Sequence, residues 1–327
     1  MANADHIKAL IKSHAEGDEM RFYSIALQVA AQAARSGHSK FAQELREIVD
    51  DGRQRGSVSA PLRSKPIPLV QPKGELAGLL VVHYPKLRLA DMALTLALQQ
   101  RIERVLREQR DRERLRQHGF SPIRKLLLLG PPGTGKTMTA SVLAGELGLP
   151  LFTVQLHGLI TKYMGETAAK LRLVFDEIAR TRAVYLFDEF DALGGERASP
   201  NEVGEIRRVL NSFLQFLEQD DADSLILGAT NHASLLDRAL FRRFDAAIEY
   251  DLPSAEVVRV LLRNRLALLD TQGVSWDAVV AEAQGLSHAE LVRACEQAAK
   301  NVLLDNRTQI STHDLVEAIA DRRIRDR

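Results

Sequence analysis

The stretch GPPGTGKT at residues 130–137 decides the fold of this chain. It consists of Gly130, Pro131, Pro132, Gly133, Thr134, Gly135, Lys136 and Thr137. It matches the pattern G-x-x-x-x-G-K-[ST] and stands between an apolar run, KLLLLG, and a helical pattern, which is the context that makes this motif specific. Glycines let the backbone wrap closely around phosphates at a helix N-terminus. We therefore predict a phosphate-binding loop, in which Lys136 faces the β- and γ-phosphates and Thr137 is a ligand of Mg²⁺.

Two carboxylates follow another apolar run, VYLFDE at residues 184–189. A strand ending there places Asp188 and Glu189 at the edge of a sheet. Hydrolysis of a phosphate needs an acid in the metal shell and a group that orients water. Acids commonly end strands, but a pair downstream of a phosphate loop favours a hydrolytic site. We predict that Asp188 holds Mg²⁺ together with Thr137 and that Glu189 polarises the attacking water.

The remaining apolar runs predict the architecture. LFTVQL (151–156), LILGATN (225–231) and AIEYDLP (247–253) are apolar enough for strands buried on both faces. Such strands, alternating with helical patterns, predict an α/β fold: a P-loop NTPase parallel sheet covered by helices. After Pro253 only helical patterns follow, starting near Ser254, Val274, Ser287 and Thr312, which predicts a C-terminal all-helical lid domain.

The start of the chain has a different pattern. Residues 1–50 show two or three short amphipathic stripes, which predict a small N-terminal helical module. In residues 51–86 the stripes vanish and prolines accumulate, which is typical of a linker. From Leu87 a charged amphipathic pattern predicts a long helix. The predicted domains are thus 1–50, the linker 51–86, the large ATPase domain 87–253 and the lid 254–327.

Composition excludes several classes of protein. The chain has 327 residues, 45% of them hydrophobic and 27% charged, with a formal net charge of +1. This balance does not favour a nucleic-acid or membrane partner. No apolar run reaches the roughly 20 residues of a membrane helix, and the N-terminus lacks a signal-peptide core. The single cysteine, Cys295, allows no intrachain disulfide and is expected to be a core thiol. We expect a cytoplasmic protein.

These motifs together resemble an AAA+ ATPase, and more narrowly the AAA clade proper, as found in bacteria. GPPGTGKT and YLFDE correspond to the Walker A and Walker B motifs of that family, and LGATN at 227–231 is similar to its sensor 1 strand. The resemblance implies ATP and Mg²⁺ as cofactors and a hydrolase with a ring of subunits, usually a hexamer. It also implies that Asn231 positions the lytic water or contacts the γ-phosphate.

The segment LDRALFRRFD at 236–245 resembles the second region of homology of the same family. There Arg242 and Arg243 match the arginine fingers, which reach into the site of the neighbouring subunit. Fingers of this kind contribute about 10³–10⁵ in rate in other NTPases. The Pro-Gly spacer that often separates the two arginines is absent here, as in some microtubule-severing and ESCRT-type members. The sequence leaves open which of the two contacts the γ-phosphate.

GLSHAEL at 285–291 resembles the start of the sensor 2 helix. The clade usually has Gly-x-Ser-Gly-Ala-Asp here and lacks a sensor 2 arginine; in this chain His288 replaces the glycine. We interpret His288 as a local packing residue, and Ser287 with Glu290 as a capping box. The resemblance also implies nucleotide contacts from Asp91, Met138 and Ala289.

KYMGE at 162–166 corresponds in position to pore loop 1 of AAA unfoldases. Lys162, Tyr163, Met164 and Gly165 follow the family pattern of a cation, an aromatic residue, a hydrophobic residue and glycine. Tyr163 and Met164 would then grip a threaded polypeptide through apolar contact. The alternative is that Tyr163 packs in the core and Gly165 opens a helix.

The first functional hypothesis is therefore a protein-remodelling motor, similar to an unfoldase, disaggregase or chaperone, that threads a protein substrate through a central pore. The alternative is a nucleic-acid-associated AAA+ ATPase, such as a loader or transposition regulator. The basic stretch 101–116 is interleaved with Glu and Asp, which indicates a solvated helix face and not a nucleic-acid site.

A further resemblance concerns the N-terminus. GD at 17–18, RFY at 21–23, ALQVA at 26–30 and GH at 37–38 are similar to the N-terminal segment of bacterial AAA ATPases encoded beside subtilisin-like serine proteases. Such pairs are linked to plasmid maintenance and phage defence. The resemblance implies that residues 1–50 form a partner-binding module and that the partner is a subtilisin-like serine protease. The alternative is a three-helix bundle that only stabilises the ring.

Overall fold

The computed structural model describes residues 26, 29, 71–159, 166–189, 200–232 and 238–325. The chain divides into two compact units, Met1–Pro66 and Ile67–Arg327. Of the first unit, Ala26 and Val29 are described, and both are helical and buried. The second unit contains a sheet with flanking helices and a helical lid, so the α/β prediction is confirmed.

The described strands form one mixed sheet. They are β1 (Leu80–His83), β2 (Lys125–Leu129), β3 (Leu151–Val154), β4 (Val184–Phe187), β5 (Leu225–Thr230) and β6 (Ala246–Glu249). Their order across the sheet is β1-β3-β4-β5-β2-β6. β1 pairs with β3 antiparallel, and the other neighbouring pairs are parallel. Every residue of β2, β4 and β5 is buried, because helices cover both faces of the sheet.

The helices of the large domain are α1 (Leu96–Arg110), α2 (Arg112–Gln117), α3 (Lys136–Leu147), α4 (Leu156–Leu159), α5 (Glu166–Arg180), α6 (Pro200–Gln219) and α7 (Arg238–Phe241). Short 3₁₀ turns cover Gly74–Gly78 and Leu89–Asp91. Helical spacing explains how α5 buries Leu171, Val174, Phe175 and Ile178 against the sheet. Phe175 also meets Phe187 of β4, with ring centroids 6.2 Å apart.

The lid consists of α8 (Ala255–Arg265), α9 (Trp276–Glu282), α10 (His288–Leu304) and α11 (Thr312–Arg325). These helices begin within two residues of the predicted starts and share one hydrophobic core. The predicted capping box is confirmed: Glu290 N–H donates to Ser287 Oγ, and Ser287 N–H donates to the Glu290 carboxylate. Cys295 is buried in this core, and burial raises the pKa of its thiol to about 12.

Two expectations need correction. The stretch interpreted as a linker, residues 51–86, contains strand β1 near its end. β1 is stabilised by hydrogen bonds to β3, and its own sequence pattern is too short to predict a strand. The helix predicted from Leu87 begins only at Leu96, where Thr95 Oγ1 accepts the N–H of Leu98. No helix in the described part of the chain has the length and apolar character needed to span a bilayer.

Candidate functional site

The carboxyl ends of three neighbouring strands carry the candidate site. β4, β5 and β2 lie side by side in the sheet. The phosphate loop follows β2, Asn231 follows β5, and Asp188 with Glu189 follows β4. Parallel strands bring their carboxyl ends to one edge, where ligands of open α/β sheets bind. Asn231 therefore emerges between the loop and the two acids.

The phosphate loop depends on glycines at two close approaches. Gly130 has φ 142°, and an added Cβ would collide with the carbonyl of Tyr250. Gly133 has φ 73°, and an added Cβ would lie 2.7 Å from Ser287 Oγ on the lid. Lys136 is buried, and its Nζ donates to the carbonyl oxygens of Gly130 and Pro131, both at 2.7 Å. The Lys136 side chain therefore folds back onto the loop, where two loop carbonyl oxygens bind its ammonium group.

A hydroxyl and a carboxylate meet beside the loop. Thr137 Oγ1, in the first turn of α3, donates to Asp188 Oδ2 at 2.7 Å. Hydroxyl and carboxylate oxygens are hard ligands of the kind that Mg²⁺ prefers, so the pair fits a magnesium ion shared with phosphates. Glu189 has φ 51°, a left-handed conformation that costs about 1–3 kcal/mol for a residue with a side chain. Its N–H donates to Asp188 Oδ1 at 3.0 Å.

A buried hydrogen bond supports the loop from behind. Thr139 Oγ1 lies 2.6 Å from the Tyr250 hydroxyl, and Thr139 also donates to the Gly135 carbonyl at 3.1 Å. Burial raises the pKa of Tyr250 to about 12, so this hydroxyl stays protonated. Sequence reasoning missed Tyr250, because an aromatic residue at the end of a strand carries no signal of such a contact.

One cavity of about 570 Å³ joins these groups to the lid. Its floor is the loop, residues 132–138, with Asp188, Glu189 and Asn231 at one end. Its other walls are residues 91–94 and the lid. The lid supplies Leu261, Arg265, His288, Ala289, Val292, Arg293 and Glu296. The Ala289 N–H donates to the Gly133 carbonyl at 3.0 Å, so the lid contacts the loop directly.

The structure brings most of the predicted residues together and separates others. Asp91, Met138 and Ala289 line the cavity with the loop and the acids. The predicted pore-loop residues, Lys162–Gly165, lie outside the described residues. Sequence reasoning missed Arg265, Arg293 and Glu296, because the lid helices that carry them reach the cavity only through the packing of the lid.

The two candidate fingers lie elsewhere. Arg242 and Arg243 occupy the turn between α7 and β6 and do not belong to the described lining of the cavity. Arg243 Nε lies 3.2 Å from Glu218 Oε2 at the end of α6. Arg242 is exposed, and among the described residues its guanidinium has no ion-pair or hydrogen-bond partner.

The sheet, the loop, the acids at the neighbouring strand end and the lid define a P-loop nucleoside triphosphatase. Residues 126–252 match the family model described as "ATPase family associated with various cellular activities (AAA)". Over 324 residues the chain is 33% identical to an uncharacterized AAA family ATPase, y4kL, of Sinorhizobium fredii, with 98% of this chain and 96% of the relative covered. The chain belongs to the AAA family and is an enzyme that binds and hydrolyses ATP.

Two further relatives carry more specific names. One is the ATP-dependent zinc metalloprotease FtsH 3 of Sphaerobacter thermophilus, 32% identical over 76% of this chain. The other is the proteasome-activating nucleotidase of Sulfurisphaera tokodaii, 34% identical over 63% of this chain. The chain spans 52% and 55% of the length of these two relatives.

Proposed function

We propose that this ATPase works as a ring of subunits. One observation supports a ring over a self-sufficient monomer: Arg242 and Arg243 do not line the cavity of their own chain. A triphosphate at the loop needs positive charge where the γ-phosphate leaves. The neighbouring subunit supplies this charge in a closed ring, for which six subunits are the expected number. Each ATP site is then complete only at a subunit interface.

Arg242 is the arginine that the neighbour receives. Its guanidinium is exposed and unpartnered among the described residues, whereas Arg243 contacts Glu218 within its own chain. Arg243 and Glu218 together hold the turn that presents Arg242. In this proposal Arg242 contacts the γ-phosphate of the neighbouring site, a role that the sequence alone leaves open between Arg242 and Arg243.

Mixing two inactive variants tests completion in trans. Arg242→Ala keeps a nucleotide site but offers no finger, and Lys136→Ala keeps the finger but loses the loop lysine. Each variant alone should hydrolyse ATP at least about 10²-fold more slowly than wild type, and an equimolar mixture should recover part of the rate. Arg259→Ala, on the exposed face of the lid, is the control and should leave the rate unchanged. A mixture as inactive as its components would rule out shared sites.

Within the site, the roles follow from position. Thr137 and Asp188 would hold Mg²⁺, which would supply positive charge against the phosphates. Glu189, one residue beyond Asp188, accepts a proton from the water that attacks the γ-phosphorus. Asn231, emerging between the acids and the loop, orients that water. ADP and phosphate are the products.

The substrate of the motor is a protein. Two relatives that align with most of this chain are named a metalloprotease and a proteasome-activating nucleotidase, which supports this choice. Lys162, Tyr163, Met164 and Gly165 follow β3 and α4 and precede α5, and we assign them to the loop that grips the polypeptide. Several arginines of α1 and α2 are paired with acids, as in Arg104–Glu108 and Arg110–Glu146, which speaks against a nucleic-acid surface.

Tyr163→Ala tests the grip. With unfolded casein as a probe, the variant should retain basal ATPase but lose stimulation by casein. Phe120→Ala, which removes an exposed aromatic side chain of the same domain, should leave stimulation intact. Stimulation by DNA in place of casein, strongly reduced by salt, would support the nucleic-acid alternative.

The N-terminal unit, Met1–Pro66, selects the partner in this proposal. Its sequence resemblance points to a subtilisin-like serine protease. The similarity to the Sinorhizobium relative covers 98% of the chain and so includes most of this unit. Co-purification of a serine protease with the full chain, lost when residues 1–66 are deleted, is the expected result. Retained binding without the unit would assign the partner surface to another domain.

A further inference from the structure

The turn between α7 and β6, residues 242–245, is attached to the sheet by Asp245, its last residue. Asp245 Oδ2 accepts the N–H groups of Arg124 and Lys125, both at 2.9 Å. In return, Asp245 N–H donates to the Lys125 carbonyl at 2.8 Å. β2 begins at Lys125 and leads to Gly130, the first residue of the phosphate loop. The turn is therefore attached to the strand that carries the phosphate loop of the same chain.

Two further contacts hold the turn against the large domain. Phe244 is buried, and a Cβ added at Gly228 of β5 would lie 3.2 Å from its ring, so the glycine leaves room for the ring. Arg243 pairs with Glu218 at the end of α6. Arg242, the first residue of the turn, is exposed. The turn is thus held by the three residues that follow Arg242, and Arg242 itself remains available for a neighbouring subunit.

Lys125 joins this turn to the end of α6. Lys125 is buried, and its Nζ donates to the carbonyl oxygens of Leu217 and Asp220, the second at 3.1 Å. Glu218, which pairs with Arg243, lies between these two residues in the chain. Backbone hydrogen bonds to the turn and side-chain hydrogen bonds to the helix end therefore meet at one buried residue. The turn and the helix end are fixed to the same point of β2.

We propose that Asp245 is a positioning residue for the arginine that each subunit offers to its neighbour. Asp245 does not belong to the described lining of the nucleotide cavity, so it acts through the turn and not on the nucleotide. A displacement of about 1 Å at a catalytic group can cost about 10²-fold in rate. Without the hydrogen bonds to Arg124 and Lys125, the turn would present Arg242 with less precision, and the neighbouring site would hydrolyse ATP more slowly. This inference rests on the proposed ring.

Mixing experiments with variants of the full chain distinguish a positioning role from a general structural one. Asp245→Ala alone should hydrolyse ATP at least about tenfold more slowly than wild type, while its affinity for Mg·ATP in a calorimetric titration stays within a few fold. Mixed with Lys136→Ala, which keeps an intact turn, it should recover part of the rate, because its own phosphate loop is intact. Mixed with Arg242→Ala, it should recover none, because neither variant supplies a well-placed arginine.

Further variants serve as controls. Asp245→Asn keeps an acceptor oxygen for the two N–H groups and should hydrolyse ATP within about threefold of the wild-type rate. Asp221→Ala removes an exposed acid from the loop between α6 and β5 and should match wild type. If the alanine variant at Asp245 does not fold, Asp245→Glu, whose carboxylate lies one methylene group further out, should give the same results in both mixtures.

The outcomes separate this inference from the ring itself. A wild-type rate for Asp245→Ala, or an asparagine variant as slow as Arg242→Ala, would overturn the role of Asp245. The opposite pattern of mixtures, recovery with Arg242→Ala and none with Lys136→Ala, would also overturn it, because Asp245 would then support the phosphate loop of its own chain. If Arg242→Ala and Lys136→Ala do not complement each other, the ring is wrong, and this inference is wrong with it.

Discussion

The phosphate-loop end of the cavity, with residues 132–138, and its lid end, with residues 91–94 and the lid helices, are built in opposite ways. The phosphate end uses consecutive residues, 130–137, together with the first residues after two neighbouring strands, and its shape depends on backbone conformation. The lid end uses side chains from residues 91–94, from α8 and from α10, which packing alone brings together. The comparison teaches that backbone-built sites can be found in a sequence, whereas sites built from distant side chains require the fold.

The largest expected effect separates chemistry from binding at the phosphate end. Glu189→Gln should lower the ATPase rate by about 10²–10⁴-fold, because the amide cannot accept a proton from water. Affinity for Mg·ATP should remain within a few fold. Glu249→Gln, an exposed acid at the end of β6, is the control and should hydrolyse ATP at the parent rate. Equal losses in rate and affinity would mean that Glu189 shapes the site and takes no part in the chemistry.

A glycine pair tests how strictly the backbone governs this end. Gly133 and Gly148 both have left-handed backbones, at φ 73° and 62°, but only Gly133 has neighbours where a Cβ would lie. Gly133→Ala should weaken ATP binding by more than about tenfold, since the methyl group meets the lid and disturbs the cradle. Gly148→Ala should lower the stability by about 1–2 kcal/mol and leave affinity unchanged. Titration with ATP and thermal unfolding distinguish the two.

The lid end of the cavity depends on a folded lid, and Asp314 stabilises the lid away from the cavity. Its carboxylate accepts from Ser311 N–H at 2.8 Å, and Arg307 binds both carboxylate oxygens. Asp314→Asn should lower the free energy of unfolding by about 1–2 kcal/mol at pH 7. Asp305→Asn should lower the free energy of unfolding by less, because Asp305, which also pairs with Arg307, is more exposed than Asp314.

The stabilisation by Asp314 should also depend on pH. Hydrogen bonds from Arg307 hold the pKa of Asp314 well below its usual range, with Ser311 contributing. A carboxyl group with a lowered folded pKa contributes fully above the unfolded value of about 3.9 and loses that contribution as the pH falls below it. The difference between the protein and Asp314→Asn should therefore shrink in acid. Denaturation followed by the fluorescence of Trp276, which is the single tryptophan, measures it.

The smallest effect concerns the support behind the loop. Tyr250→Phe removes the hydroxyl 2.6 Å from Thr139 and should cost about 1 kcal/mol in stability, with a small loss of ATP affinity. Tyr185→Phe removes another buried hydroxyl, bonded to the carbonyls of Glu177 and Thr181 far from the loop. It should cost a similar amount without changing affinity. Equal affinities in both variants would show that the loop does not need Tyr250.

Much of the fold was predictable because its signals are local. Continuous apolar runs marked β2, β4 and β5, and Ser254 and Ser287 marked the starts of lid helices. β1 was not predicted, because four residues with one buried position in the pattern are too few to stand out. The prediction that a helix begins at Leu87 was wrong for a related reason. The apolar residues before Leu96 pack in two different cores, that of the lid and that of the large domain.

For the site, too, residues with local sequence signals were predicted and residues placed by long-range packing were not. The loop, Asp188 and Glu189 were predicted from motifs and their order relative to strands, and Asn231 from the family resemblance. The structure places all of them around one cavity. Tyr250, Arg265 and Arg293 were not named, because their contribution arises from contacts between residues far apart in the chain. His288, interpreted as a local packing residue, lines the cavity at the start of α10, and both of its ring nitrogens are buried.

Residues 91–94, a strip that forms one wall of the cavity, connect the lid to the large domain. Ala93 packs into the hydrophobic core of the lid, whereas its neighbour Leu94 packs against the core of the large domain. Met92 approaches Gly135 of the phosphate loop. Rotation of the lid would therefore pull on the strip through Ala93 while Met92 and Leu94 resist. Lid rotation and nucleotide release would then be coupled, because movement of the lid would shift the wall of the nucleotide cavity.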